Sequence, residues 1–189
     1  MKERKTRIRS AARANRGPSA GHAVARVGIG YDLHRLEPGR RLVLGGVELA
    51  SDRGSLGHSD GDALAHAVCD ALLGAAGLGD IGAHFSDADP RWKGISSLVF
   101  LERTADLLAA RELAIAWIDA VVILERPKLG PLFPAMRETL ARSLGIASDR
   151  INLKAKTHEG LGELGRGEAV AAHAVAALAP ARRRARISG

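Results

Sequence analysis

The chain contains one cysteine, Cys69, so no disulfide can form within it, which fits a reducing compartment better than a secreted setting. Aromatic residues are nearly as scarce: Trp92, Trp117, Tyr31, Phe85, Phe100 and Phe133 make up 3% of the sequence. Rings spread this thinly along the chain do not suggest the stacked platforms on which single-stranded nucleic acids lie. No apolar run reaches the roughly 18 residues that a membrane-spanning helix needs, because Asp119 and His173 interrupt the two best candidates. No Gly-x-x-x-x-Gly-Lys-Ser/Thr run occurs, which excludes a Walker-type phosphate loop, and no internal repeat is visible. What is present, 46% hydrophobic and 26% charged residues over 189 positions, describes one soluble domain with a real core rather than a disordered or fibrous chain.

The net charge of +7 suggests an anionic partner until its distribution is considered. Lys2, Arg4, Lys5, Arg7, Arg9, Arg13 and Arg16 face only Glu3 at one end, and Arg182, Arg183, Arg184 and Arg186 crowd the other. These ends hold more positive charge than the chain's total, so the interior is mildly acidic. The expected organisation is a basic disordered extension over residues 1–23, a domain over 24–181, and a basic disordered tail over 182–189. Neither nucleic acid nor membrane is an expected partner. The N-terminal stretch resembles an organelle transit peptide in being Arg-rich and acid-poor, but not in serine content. A cytoplasmic location is expected, with a plastid left open by that extension.

Along the domain, residues 24–34 alternate as a strand does, and 41–49 read as two short strands turning at Gly45 and Gly46. Ser59 or Asp60 can cap a long Ala- and Leu-rich helix over 61–76, which Gly77 and Gly79 stop. Further helices are expected from Ser96 and Ser97 to about 110 and from Pro131 to Gly145, and strands over 114–124 and 151–157. The stretch 168–178, rich in alanine, reads as a last helix. Alternating strands and helices indicate an α/β (α+β) fold, a single mixed sheet covered on one face by helices.

Three groups of residues carry chemistry. Asp32 and His34 lie two apart at a strand end, on one face, where a metal or an anion can reach them, although a D-x-H triplet by itself also describes a solvated strand face. His58-Ser59-Asp60-Gly61-Asp62 leads into the helix, on which Asp62, His66 and Asp70 follow at steps of four and form one polar stripe. His66 has two readings, a core histidine satisfied by Asp70 or a metal ligand whose tautomer a neighbouring carboxylate fixes. With Asp32 and His34 it would complete a His₂Asp set with one open position. The third group, Lys154 to Gly160 followed by Gly162, Gly165, Arg166 and Gly167, ends a strand in a Gly-rich loop with cations, the Thr157 hydroxyl and the Glu159 carboxylate, suited to a phosphate and its divalent metal.

Together with Gly30-Tyr31-Asp32-Leu33-His34, Asp70 to Gly82, Phe85, Asp87-Ala88-Asp89-Pro90, Pro127-Lys128 and Gly165-Arg166-Gly167-Glu168, these motifs resemble the 2-C-methyl-D-erythritol 2,4-cyclodiphosphate synthase family. The resemblance spans residues 26 to about 178, with the motifs in family order. It implies a homotrimer with active sites between subunits, and a phosphorus–oxygen lyase of non-mevalonate isoprenoid biosynthesis. That enzyme closes 4-diphosphocytidyl-2-C-methyl-D-erythritol 2-phosphate into the cyclic diphosphate and releases CMP. It further implies Zn²⁺, or another divalent metal, on Asp32, His34 and His66, and Mg²⁺ or Mn²⁺ on the substrate phosphates and Glu159. Carried over by motif, His58 and Ser59 hold the methylerythritol phosphate, Asp80 and Gly82 meet the sugar, Thr157 meets phosphate, Pro127 and Lys128 receive the cytosine, and Arg166 is a further substrate-binding residue. His58, Thr157 and Glu159 are the implied catalytic residues. Two positions depart from the family: Lys156-Thr157 replaces a pair of hydroxyls, and Glu163 stands where an aromatic residue often faces an apolar cavity. A zinc phosphoester hydrolase using the same ligands, and a nucleic-acid binder using the basic ends, are the rival classes; the acidic interior weighs against the second.

Overall fold

A computed structural model describes residues 25–181. The basic stretches 1–23 and 182–189 lie outside the described residues. In chain order the elements are β1 (Arg26–Pro38), β2 (Leu42–Leu44), β3 (Val47–Leu49), β4 (Arg53–Ser55), α1 (Ala63–Ala76), α2 (Ile81–His84), α3 (Leu98–Ala110), β5 (Leu113–Ile123), α4 (Phe133–Leu144), β6 (Ile151–Lys156), α5 (Gly162–Gly165) and β7 (Ala169–Pro180). Five strands form one mixed sheet in the order β4-β1-β7-β5-β6, with β5 and β6 parallel and the other neighbours antiparallel. A separate hairpin pairs β2 with β3, as the Gly45-Gly46 turn predicts. None of the helices is long and apolar enough to cross a membrane among the described residues.

The expected last helix is instead β7. Alanine is the best helix former, but intrinsic propensity is a weak force beside the pairing that a central strand makes on both edges. Here β7 pairs with β1 on one side and β5 on the other. Its small residues also serve the packing: Val170, Ala172, Ala174, Ala176 and Leu178 are buried on one face, whereas His173 and Val175 are exposed on the other.

The helix α1 starts two or three residues after the point where Asp60 or Ser59 would have capped it. Asp62 is the N-cap, its carboxylate accepting from the Ala65 amide at 2.9 Å. The same carboxylate accepts from the amides of Gly45 (2.9 Å) and Gly46 (2.7 Å), so the helix start is fastened to the β2–β3 turn. Burial pushes the Asp62 carboxyl up, and these three amides oppose the shift.

How closely α1 approaches the sheet is decided on β1. A side-chain carbon on Gly28 would run into the Ala71 carbonyl and the Ala75 amide, and one on Gly30 into the Ala67 carbonyl and the Ala71 amide. Helix and strand backbones therefore touch along Ala67, Ala71 and Ala75, a stripe at steps of four facing two glycines. On the far side of α1 the Cys69 thiol lies 3.0 Å from the Thr104 hydroxyl, and burial pushes it up to about 12, so it is not a reactive thiol. Helix α3 packs on α1 and on α4, and α4 reaches β6.

The opposite sheet face is open and largely apolar: Val27, Ile29, Tyr31, Leu33, Trp117 and Val175 all project from it, with Ile29 73% exposed. Its polar members are few. His173 lies against Tyr31, with ring centroids 4.7 Å apart, and Asp119 accepts from Lys154 (2.6 Å) and Asn152 (2.8 Å). Hydrogen bonding to Lys154 holds the Asp119 carboxyl below its usual range.

Because the Gly30 contact is with backbone that cannot swing aside, Gly30→Ala is expected to destabilise the fold by about 1–3 kcal/mol, the usual range for overpacking. Urea unfolding followed by circular dichroism measures this; an unchanged midpoint would mean that α1 can shift freely.

Candidate functional site

The backbone contact of α1 with β1 brings together the first two motifs. Along β1, Gly28, Gly30, Asp32 and His34 all face the helix, by the period of two, and once the glycines end the space is filled by the Asp32 and His34 side chains. His66, in the first turn of α1, meets them there. Asp32 Oδ2 lies 3.0 Å from His34 Nε2 and 3.0 Å from His66 Nδ1, and the two ring nitrogens are 3.2 Å apart. Three ligands around one tetrahedral zinc ion stand roughly 3.3 Å from one another, so one carboxylate oxygen and two imidazole nitrogens are already spaced to share a cation. They are the one such group of His, Cys, Asp and Glu among the described residues. The group can hold a divalent metal.

Electrostatics at the triad favour charge separation even without a metal. Burial opposes charge on Asp32, but hydrogen bonds from His34 and His66 outweigh it and hold the carboxyl well below the usual carboxylate range. Burial likewise pushes the His66 imidazole down, and the Asp32 carboxylate more than reverses that, leaving its pKa raised.

The other side of His66 corrects the sequence expectation. Asp70 does not support it: its Oδ1 accepts from the Ile81 amide at 2.7 Å, tying α1 to α2, and Asp62 is turned toward the β2–β3 turn. Backbone amides draw both carboxylates away from the ring: those of Gly45, Gly46 and Ala65 hold Asp62, and that of Ile81 holds Asp70. Instead, His66 Nε2 lies 2.8 Å from Ser97 Oγ and 3.2 Å from Ser59 Oγ. Ser97, fully buried, belongs to a loop that the spacing along α1 could not reveal.

A cavity of about 310 Å³ opens beside the triad, and His34, His58, Ser59, His66 and Gly82 line it. Its apolar wall is Phe85, Trp92 and Phe100. Phe85 stacks on Phe100 with centroids 4.8 Å apart, and Trp92 meets both edge-on. Rings scattered in sequence are thus gathered in space, which the sequence gives no means of seeing. Asp80 stands next to this cavity as the N-cap of α2, accepting from the Ala83 amide at 2.9 Å.

The remaining site residues lie elsewhere in the chain. Pro127, Lys128, Lys156 and Thr157 line a second cavity of about 330 Å³ at the ends of β5 and β6, with Phe133 in its wall. No residue lines both cavities. Glu159 follows on the exposed loop in a left-handed conformation, φ +51°, and accepts from the Thr157 hydroxyl at 2.6 Å. Arg166 lines a third depression and donates to Glu168 (3.0 Å) and Glu163 (3.4 Å).

The profile of the YgbB family matches residues 25–179. The 2-C-methyl-D-erythritol 2,4-cyclodiphosphate synthase of Gloeobacter violaceus is 56% identical over 153 residues, covering 81% of this chain and 94% of that protein. The protein of that name from Trichlorobacter lovleyi is 51% identical, covering 82% of this chain and 99% of the relative. Among solved structures, a 2C-methyl-D-erythritol-2,4-cyclodiphosphate synthase in a CDP-bound form superposes with a TM-score of 0.75 at 48% identity, covering 81% of this chain and 99% of the other. The bifunctional IspDF of Campylobacter jejuni superposes with a TM-score of 0.81 at 38% identity; this chain spans 84% of its own length but 43% of that larger protein.

A metal entering the triad must displace a proton from His66. Since the Asp32 carboxylate raises the His66 pKa above the ordinary histidine value, proton competition begins at a higher pH than for a free imidazole, and divalent-metal affinity should weaken as pH falls through that titration. Calorimetry in buffers of different ionisation enthalpy should detect proton release; affinity independent of pH between 6 and 8, roughly the range histidine titrates over, would contradict the assignment.

Proposed function

The chain belongs to the YgbB family, and on that premise we propose that it cyclises 4-diphosphocytidyl-2-C-methyl-D-erythritol 2-phosphate to the 2,4-cyclodiphosphate and releases CMP, as a phosphorus–oxygen lyase of non-mevalonate isoprenoid biosynthesis. The observation that carries this reading is the convergence of Asp32, His34 and His66 on one point beside a cavity walled by aromatic rings.

The donor chemistry of the triad, two imidazoles and one carboxylate with room for a further ligand, suits Zn²⁺; a lone exposed carboxylate at Glu159 suits Mg²⁺ or Mn²⁺ shared with substrate phosphates. When bound, such cations neutralise phosphate oxygens so that one anion can approach another. The chain's own residues do the positioning. His58 and Ser59 orient the methylerythritol phosphate, with Asp80 and Gly82 toward the sugar. Pro127 and Lys128 take the cytosine end, and the Thr157 hydroxyl turns from Glu159 to the nucleotide phosphates. Arg166 adds positive charge near the phosphate end. The 2-phosphate oxygen then bonds to the β-phosphorus as the bond from that phosphorus to the α-phosphate oxygen breaks, and CMP carries away the electron pair. The attacking oxygen is already an anion at neutral pH, so no strong base is required, and effective concentration supplies much of the rate.

The reading includes a homotrimer. One chain carries the triad cavity and the nucleotide cavity as separate half-sites, and the exposed apolar sheet face needs a cover. Pairing one chain's triad with a neighbour's nucleotide cavity completes the site while the sheets pack together. In domain terms, the catalytic unit is residues 24–181 with basic extensions outside it, and a cytoplasmic setting agrees with the single buried cysteine.

Incubation of the protein with the diphosphocytidyl substrate and divalent metals should yield CMP and a cyclic diphosphate by phosphorus NMR. Release of linear phosphate without a ring would instead identify a phosphoester hydrolase. His66→Ala should lower turnover and Zn²⁺ content together, at least 100-fold for turnover as an order-of-magnitude expectation, whereas Glu159→Gln should retain zinc and raise the Mg²⁺ requirement. For the assembly, sedimentation should give three times the 19.9 kDa chain mass. Ile29→Lys, a charge placed on the open face, should produce inactive monomers that still bind zinc; an active monomer would defeat the interfacial site.

A further inference from the structure

Resting on the assignment of Asp32, His34 and His66 as metal ligands, we propose that Asp60 and Ser97 are positioning residues that hold the His66 ring with its proton on Nε2, so that the Nδ1 lone pair is the one presented to the metal.

The direction of each hydrogen bond follows from the donor inventory. Both oxygens of the Asp60 carboxylate are engaged with Ser97: Oδ2 accepts from its backbone amide at 3.0 Å, and Oδ1 accepts from its hydroxyl. An ionised carboxylate can only accept, so the single hydroxyl proton of Ser97 is committed to Asp60. Ser97 Oγ therefore has nothing left to donate toward His66, and at 2.8 Å from Nε2 it must accept. The proton of that contact belongs to the ring. Ser59 fits the same scheme: its hydroxyl, 3.1 Å from Ser97 Oγ, donates into the second lone pair of Ser97 and in turn faces the Gly61 amide at 3.4 Å. With this polarity the Ser59 and Ser97 hydroxyl protons and the ring Nε2–H each have an acceptor, and in the metal-free ring an Nδ1 proton shared with Asp32 is the one a metal replaces.

The relay also fixes where the ring sits. Ser97 is fully buried and precedes α3, and Asp60 lies on the loop that enters α1, its own amide donating to the Ile95 carbonyl at 3.0 Å. The loops that enter α1 and α3 are thus joined at the Nε2 edge of the ring, while Nδ1 points at Asp32 and His34. Reversing the relay would put the proton on Nδ1 and leave the metal without its third ligand. A metal-bound histidine that donates its far N–H is a general device of metal sites; here the acceptor is a serine polarised by an aspartate rather than the aspartate itself.

The test uses the full chain and Zn²⁺ alone. In ¹⁵N-labelled, zinc-loaded protein, His66 should show a protonated Nε2 and an unprotonated Nδ1 in two-bond proton–nitrogen correlation spectra. By competition with a chromophoric chelator, Ser97→Ala and Asp60→Asn should each weaken Zn²⁺ binding by roughly 10- to 100-fold, while Ser97→Thr, which keeps the hydroxyl, should restore most of the affinity. A proton found on Nδ1 of the loaded wild type overturns the relay without need of any variant. Variants that fold and bind within about twofold of wild type overturn it as well, with the metal reading intact. Wild-type protein that takes up no Zn²⁺ removes both.

Discussion

Direct contact between the α1 backbone and the β1 backbone is the constraint on which the rest of this molecule depends. It exists because Gly28 and Gly30 leave no side chain between the strand and Ala67, Ala71 and Ala75. That contact sets how near the first turn of α1 lies to β1, and there the His66 ring meets Asp32 within hydrogen-bond distance. Close packing thus converts a secondary-structure contact into a three-donor site, and the same interior rigidity that makes overpacking costly keeps those donors in place.

Three aspartates within eleven residues illustrate how position in the chain and role in the fold diverge. Asp60 engages Ser97, Asp62 caps α1 and fastens it to the β2–β3 turn, and Asp70 fastens α1 to α2. None touches Nδ1 of His66; that contact comes from Asp32, more than thirty residues away. Around one buried imidazole, a carboxylate on the metal side stabilises positive charge, and neutral hydroxyls on the far side set its orientation. The two effects are separable: one concerns how much charge the site holds, the other where the lone pair points.

The sheet serves this site with one face and leaves the other apolar. Small residues dominate β7 on the helix side, where α1 must come close, while Ile29, Trp117 and Val175 project from the opposite side. Isolated chains would expose that surface to water, whereas the proposed trimer would bury it and bring a triad cavity from one chain beside the Pro127–Lys128 cavity of another. Assembly and activity would then draw on a single hydrophobic driving force.

Much was legible in the chain before any coordinates. The hairpin at Gly45-Gly46, β1, β5 and β6, and the helices α1, α3 and α4 all follow from periodicity and punctuation, because those signals act between neighbours in sequence. The group Asp32, His34 and His66, which can hold a divalent metal, was readable because a strand places i and i+2 on one side and the motifs fell in family order. What local pattern misjudged was β7, where an alanine-rich segment is held as a strand by partners 48 and more residues away in sequence, and the support of His66, where a helical stripe pointed to Asp70 and the fold supplied Ser97. The aromatic wall of Phe85, Trp92 and Phe100 was equally out of reach. By itself the sequence determined which chemical groups this protein has and which local elements carry them. Only the tertiary structure decided which of those groups meet, because pairing energies between distant segments and the geometry of close packing are properties of the folded chain and leave no trace in the order of neighbouring residues.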